Sequence, residues 1–155
     1  MKVFISGSIS IKKLPQIAID KLNRIMEQNL TVIVGDANGI DSLVQNYLAD
    51  NSYLNVNIYH AGNYIRNNVA NWPTISVPSM NLTGRALYTL KDKEMAKDAD
   101  FGMMIWDGQS KGTKANITEM TKLGKHFYVI QGESIVSDKE LISMPVSQQQ
   151  ELFAV

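Results

Sequence analysis

An α/β fold is what these 155 residues predict: a three-layer Rossmann-like sandwich around a mainly parallel sheet of about five strands. Two observations carry that expectation. Five short apolar runs, rich in β-branched, aromatic and Met residues, alternate with stretches whose apolar residues recur at helical spacing. Strands alternating with helices imply a parallel sheet covered on both faces through right-handed crossovers. At this length one core is expected, with residues 1–131 forming a single domain and 132–155 extending it.

The elements follow in order. KVFISGS, Lys2 to Ser8, has the unbroken apolar centre of a strand buried on both faces. Pro15 then suits the first turn of a helix, and Ala18, Leu22, Ile25 and Met26 repeat behind it at helical spacing. TVIVGD, Thr31 to Asp36, is the second strand. The helix after it carries Ile40, Leu43, Val44, Tyr47 and Leu48, and VNIYHA, Val56 to Ala61, is the third strand. From Gly62 to Asn81 the alternation stops: this stretch holds five Asn, two Pro and Trp72 without a period. A loop of that length points to a lid or binding loop, with a surface excursion or a dimer contact as the alternative. A longer, charged helix carries Leu87, Leu90, Met95 and Ala99, and it leads into the fourth strand, FGMMIWD, Phe101 to Asp107. The next helix stops at Gly124, a natural left-handed terminus, before HFYVIQ, His126 to Gln131, the fifth strand. The tail has a helical turn or two near SDKELIS and then a Gln run, and it is expected to pack at an edge or fray.

Composition narrows the function. Fifteen basic residues balance fifteen acidic ones, so no net field draws in a polyanion. Nucleic acid is therefore not the expected partner; a nucleotide-derived small molecule is. With no Cys there is neither a disulfide nor thiolate chemistry nor a cysteine zinc site, and no metal or cofactor is expected. Met1-Lys2 leads straight into a strand without a signal-peptide pattern, and no apolar run approaches the ~20 residues of a membrane span. The chain is expected to be cytoplasmic, without a membrane partner, and a homo-oligomer, most simply a dimer.

In a doubly wound sheet the ligand crevice lies beyond the carboxyl ends of the strands. Three of those ends carry similar turns: Ser6-Gly7-Ser8; Gly35-Asp36 through Gly39 to Asp41; and Asp107-Gly108 through Gly112-Thr113. Their glycines allow close backbone approach, and each following helix offers unpaired N–H groups, so together they suit phosphate. Neither the G-x-G-x-x-G fingerprint nor the G-x-x-x-x-G-K-[ST] loop is present, which lowers dinucleotide oxidoreductase and ATPase readings. Asp36, Asp41 and Asp107 are candidates to hold ribose hydroxyls; helix capping and turn chemistry are the alternatives, and Asp41 is assigned mainly to them. Arg85, Lys91 and Lys93 are candidates to meet phosphate, or are solvated helix faces. Trp72 or Tyr64 could stack on a base or be pinned to the core. His60 ends a strand on the ligand side but has no placed partner.

These segments resemble the SLOG superfamily, the Rossmann-like domains shared by the DNA-processing protein DprA and the cytokinin-activating LOG enzymes. The likeness rests on SGS after the first strand, GDANGIDSLVQNYLA after the second, and KDKEMAKDADFGMMIWDGQSKGT across the fourth, and it covers Lys2 to Gln131. The tract from Trp72 onward is similar to small stand-alone bacterial members. The resemblance implies binding of a nucleotide or nucleotide-derived ligand, with Ser6, Gly7, Ser8, Gly35, Asp36, Gly39, Asp107, Gly108, Gly112, Thr113 and Asn116 forming the pocket. Some members cleave N-glycosidic bonds with a Glu at the position held here by Asn116, and an amide neither accepts a proton as a base nor stabilises a cation by charge. The resemblance thus implies a binder or sensor rather than an enzyme. The alternative is an N-glycoside hydrolase or transferase acting on nucleosides or nucleoside monophosphates, with Asp107 or Glu119 as the carboxylate.

Overall fold

The computed structural model describes residues 1–137, the side chain of Ser137 excepted. The helical turn expected in the tail and the Gln run lie outside those residues. The strands are β1 (Lys2–Gly7), β2 (Thr31–Gly35), β3 (Val56–Ala61), β4 (Thr74–Val77), β5 (Phe101–Ile105), β6 (His126–Gln131) and β7 (Ser134–Ser137). The helices are α1 (Gln16–Glu27), α2 (Ile40–Asp50), α3 (Gly84–Asp98) and α4 (Lys111–Lys122). They build one sheet in the order β4-β3-β2-β1-β5-β6-β7, parallel throughout except for β7, which runs antiparallel to β6.

The expected three-layer α/β architecture is present, with the five expected strands at its centre. β4 and β7 extend it by one strand at each edge. Neither has the composition of a central strand: β4 reads TISV, buries only Val77 well and pairs on one side alone. Successive side chains of a strand point to opposite faces, and that alternation divides the core in two. Val3, Ile5, Val32, Val34, Met103 and Ile105 pack with Ala18, Leu22 and Ile25 of α1 and Val44 and Leu48 of α2. Phe4, Ile33, Met104, Phe127 and Val129 pack with Met95 and Ala96 of α3 and Met120 of α4 on the other face. Among the described residues no helix is long and apolar enough to cross a membrane.

The chain steps outward from β1 through β2 and β3 to β4, and α3 then carries it back to β5 on the other side of β1. That reversal is a topological switch point, where adjacent connections diverge and leave a crevice beyond the carboxyl ends of two neighbouring strands. β1 and β5 pair up to Gly7 and Ile105, so the turns after both strands open into the same crevice.

The stretch from Gly62 to Asn81, expected as a single loop, contains the edge strand β4, and the segment before that strand is tied to the body. Trp72 is buried, its indole N–H donating to the Tyr53 carbonyl at 2.8 Å, while Asn68 and Trp72 exchange two hydrogen bonds of 3.0 and 2.9 Å. Gln45 of α2 clamps the same loop, donating to the Asn67 carbonyl at 3.1 Å and accepting from the Val69 N–H at 3.1 Å.

Candidate functional site

A cleft of about 500 Å³ lies at the switch point. One wall comes from the turns after β1 and β5. The buried Ser8 hydroxyl accepts the Asp107 N–H at 3.0 Å and meets the Ser110 hydroxyl at 2.7 Å, and Ser110 in turn donates to Thr113 at 3.1 Å. This hydroxyl chain runs along the start of α4, whose first turn has no side-chain cap. The N–H groups of that turn therefore remain free to meet an acceptor, at the positive end of the helix dipole. Gly112 lines the same wall, and a side chain added there would meet nothing within 4 Å. Deeper in, the Asn116 amide donates to Ser6 at 2.6 Å.

The opposite wall is electrostatic. Lys91 of α3 is 3% exposed, with Asp92 at 3.3 Å and Asp36 at 3.9 Å. A Cβ at Gly35 would stand 2.5 Å from the Lys91 ammonium and 2.6 Å from an Asp41 carboxylate oxygen, so only glycine lets both groups cross this strand end. Burial pulls the Lys91 pKa down, but Asp92, Asp41 and Asp36 outweigh it and hold the ammonium above its ordinary value. Burial pushes the Asp36 carboxyl up, yet hydrogen bonds from the Arg66 side chain and backbone, at 2.7 and 2.8 Å, with the charge of Lys91, bring it below the usual carboxylate range. Asp41 goes the other way. Burial, reinforced by Asp92 and Asp36, raises it to about 6 against the pull of Lys91 and the Ala37 N–H.

These opposite shifts predict a two-part pH dependence of stability. Asp41 binds its proton more tightly folded than unfolded, so stability falls as pH rises from about 4 to about 6. A shift of about two units amounts to ~3 kcal/mol. Asp36 contributes in the reverse sense: its stabilisation is present above its ordinary carboxylate pKa and is lost only in more acidic solution. Urea unfolding from pH 4 to 7 should show the decline, and Asp41→Asn should flatten it. An unchanged slope in that variant would contradict the assignment.

Of the residues expected from sequence, Ser6, Gly7, Ser8, Gly35, Gly112, Thr113 and Asn116 line the cleft. Asp36 does not: it is 1% exposed and lies behind the wall, both oxygens engaged by Arg66. Asp107 also lies outside. Its carboxylate accepts from Ser10 at 2.6 Å and from the Gln109 and Ser110 N–H groups at 2.8 and 2.7 Å, contacts that hold its pKa far below the usual range. It organises the turn, where a ribose contact was expected. Gly108, at φ +83°, backs onto the Gln131 side chain, and Gly39, at φ +74°, packs against Ile9. Glu119, His60, Tyr64, Trp72 and Lys93 are not part of the cleft, whereas Arg85, Lys91 and Asp41 are. Sequence reasoning missed Arg66, Tyr88, Asp92 and Ser110. For Tyr88 a signal existed, because Tyr88, Lys91 and Met95 share one helical face. Arg66 had none, since its loop lacks any period.

No family model matches the sequence, and no curated protein does. The structure is similar to that of DNA processing protein A from Helicobacter pylori, described for its single-stranded DNA binding mode, with a TM-score of 0.63 and 14% identity. The match covers 83% of this chain and 64% of that one, so the chain spans less than two thirds of that protein's length. At this identity the likeness is one of fold alone, the Rossmann-like α/β architecture already described. It also corrects one expectation. A balanced net charge argues against nucleic acid as a partner, yet a protein of this fold is described binding single-stranded DNA. A chain-wide sum hides local fields: Arg85 and Lys111 line the cleft, whereas Arg66 and Lys91 are balanced there by Asp36, Asp41 and Asp92.

Proposed function

We propose that this chain is a SLOG-type nucleotide-binding domain whose ligand lies in the switch-point cleft, phosphate against the first turn of α4 and nucleoside toward α3. The observation that carries this reading is the uncapped start of α4, faced by the linked hydroxyls of Ser8, Ser110 and Thr113, with Gly112 leaving the backbone bare. Lys111 and Arg85 supply cationic charge at the same cleft. Lys91 is already compensated by three carboxylates and serves to hold the opposite wall together.

The likeness to DNA processing protein A favours a second form of the same reading, in which the nucleotide belongs to a single strand of nucleic acid. A catalytic role for Asp107 or Glu119 finds no support, because neither carboxylate reaches the cleft.

Gly112→Asp separates binding from folding. The added side chain has room, and a carboxylate in the first turn of a helix is favourable, so the variant should fold with undiminished stability while its charge repels phosphate. A ligand at 100 times its Kd raises stability by about 2.7 kcal/mol, or roughly 5–10 °C in Tm for a chain of this size. Thermal unfolding with nucleoside monophosphates and with a short oligodeoxythymidylate should show such a shift in the native chain and none in Gly112→Asp. Equal shifts in both proteins, or none in either, would contradict the proposal.

A further inference from the structure

The aromatic candidates read from sequence do not reach the cleft: Trp72 is pinned in the core and Tyr64 stands at the surface outside it. Tyr88 does reach it. It is 36% exposed, although the residues that follow on the same helical face, Lys91 and Met95, are buried. The face thus passes from an open aromatic ring to a buried cation to an apolar floor, which places Tyr88 toward the mouth and Met95 toward the base.

The Arg66 guanidinium lies over the Tyr88 ring at 4.0 Å from its centroid. Arg66 is itself fixed before any ligand arrives, since Asp36 accepts its side-chain N–H at 2.7 Å and its backbone N–H at 2.8 Å. Asp36 is in turn buried beside Lys91. A ring held on one face by an immobilised guanidinium loses little further freedom when a flat partner is laid on its other face.

We propose that Tyr88, held by the Asp36–Arg66 pair, is the base-stacking wall of the cleft, so that the ligand is recognised by its aromatic base and not by its sugar phosphate alone. The inference rests on the nucleotide reading above and adds an orientation: phosphate at α4, base at Tyr88. Stacking tolerates any base, because every base presents a π face. The cleft should therefore separate nucleotides from ribose phosphates more strongly than purines from pyrimidines. Asp36 is a positioning residue that acts through Arg66.

The test is calorimetric titration of the full chain with AMP, CMP and ribose 5-phosphate. The native chain should bind both nucleotides about tenfold or more tighter than ribose 5-phosphate, the order expected of one stacked base. Tyr88→Ala should collapse that ratio toward one, while Tyr88→Phe should preserve it. Asp36→Asn should reduce it without abolishing it, a graded loss that a purely structural role would not produce if the unfolding midpoint is matched. Retention of the ratio in Tyr88→Ala overturns the stacking proposal. Equal native affinity for AMP and ribose 5-phosphate overturns it too, while leaving the phosphate site standing. If none of the three compounds binds, the stacking proposal and the nucleotide reading fall together.

Discussion

Replacing Lys91 by Met is expected to lower stability by about 3–5 kcal/mol, the range for removing one member of a buried charge cluster. Met nearly matches the aliphatic stem of Lys91, so little packing is lost. What is lost is the single ammonium among Asp36, Asp41 and Asp92, at a position 3% exposed. Asp36 would keep Arg66, 2.7 Å away, but Asp41 would keep only the Ala37 N–H at 3.1 Å. Protonation relieves an unpaired carboxylate, so the deficit should be largest near neutral pH and shrink as the solution is acidified through the Asp41 titration. Urea unfolding at pH 7 and pH 5 measures both effects. A loss below about 1 kcal/mol at pH 7, the range of an exposed ion pair, would mean that the cluster is solvated or neutral and that the wall it builds is not electrostatic.

Gly39→Ala is expected to cost about 3 kcal/mol or more, combining a strained backbone with a steric overlap. Gly39 has φ +74° and ψ −130°, and a Cβ there would fall on the Ile9 Cα and carbonyl. No side-chain rotation relieves a clash with backbone. The contact matters for the cleft because the Ile40 N–H donates to the Ser8 carbonyl at 3.3 Å, tying the start of α2 to the turn after β1. Displacing α2 therefore displaces Ser8. The unfolding midpoint should drop with an unchanged m-value; a midpoint equal to that of the native chain would show that the turn yields at no cost.

The contrast between Gly39 and Gly112 shows what could be read from sequence and what could not. All of the glycine turns were legible, because a glycine after a strand and before a helix is a local signal. Their separate jobs were not. Gly39 makes room for Ile9 and Gly35 for Lys91 and Asp41, whereas Gly112, in the third of these turns, faces open space. Those distinctions depend on neighbours distant in sequence.

The same limit explains the acidic residues. At strand ends, Asp36 and Asp107 are as compatible with a ribose contact as with turn chemistry. Asp36 is instead engaged by Arg66, thirty residues further along the chain. Asp107 is held by Ser10 across ninety-seven residues, although its bonds to Gln109 and Ser110 are the local turn chemistry its sequence already allowed. For the fold, the five central strands were visible because burial on both faces enforces a continuous apolar run. β4 and β7 are edge strands of four residues each, and half-exposed edges need no such run.

The central claim, a nucleotide held at the start of α4, is tested most directly by amide chemical-shift mapping of the labelled chain during titration with a nucleoside monophosphate. The account predicts saturable shifts centred on Ser8, Lys111, Gly112 and Thr113, with Gly132 and Glu133, which line a second cleft beside α1, left in place. Shifts centred on that second cleft, or none at millimolar nucleotide, would contradict it.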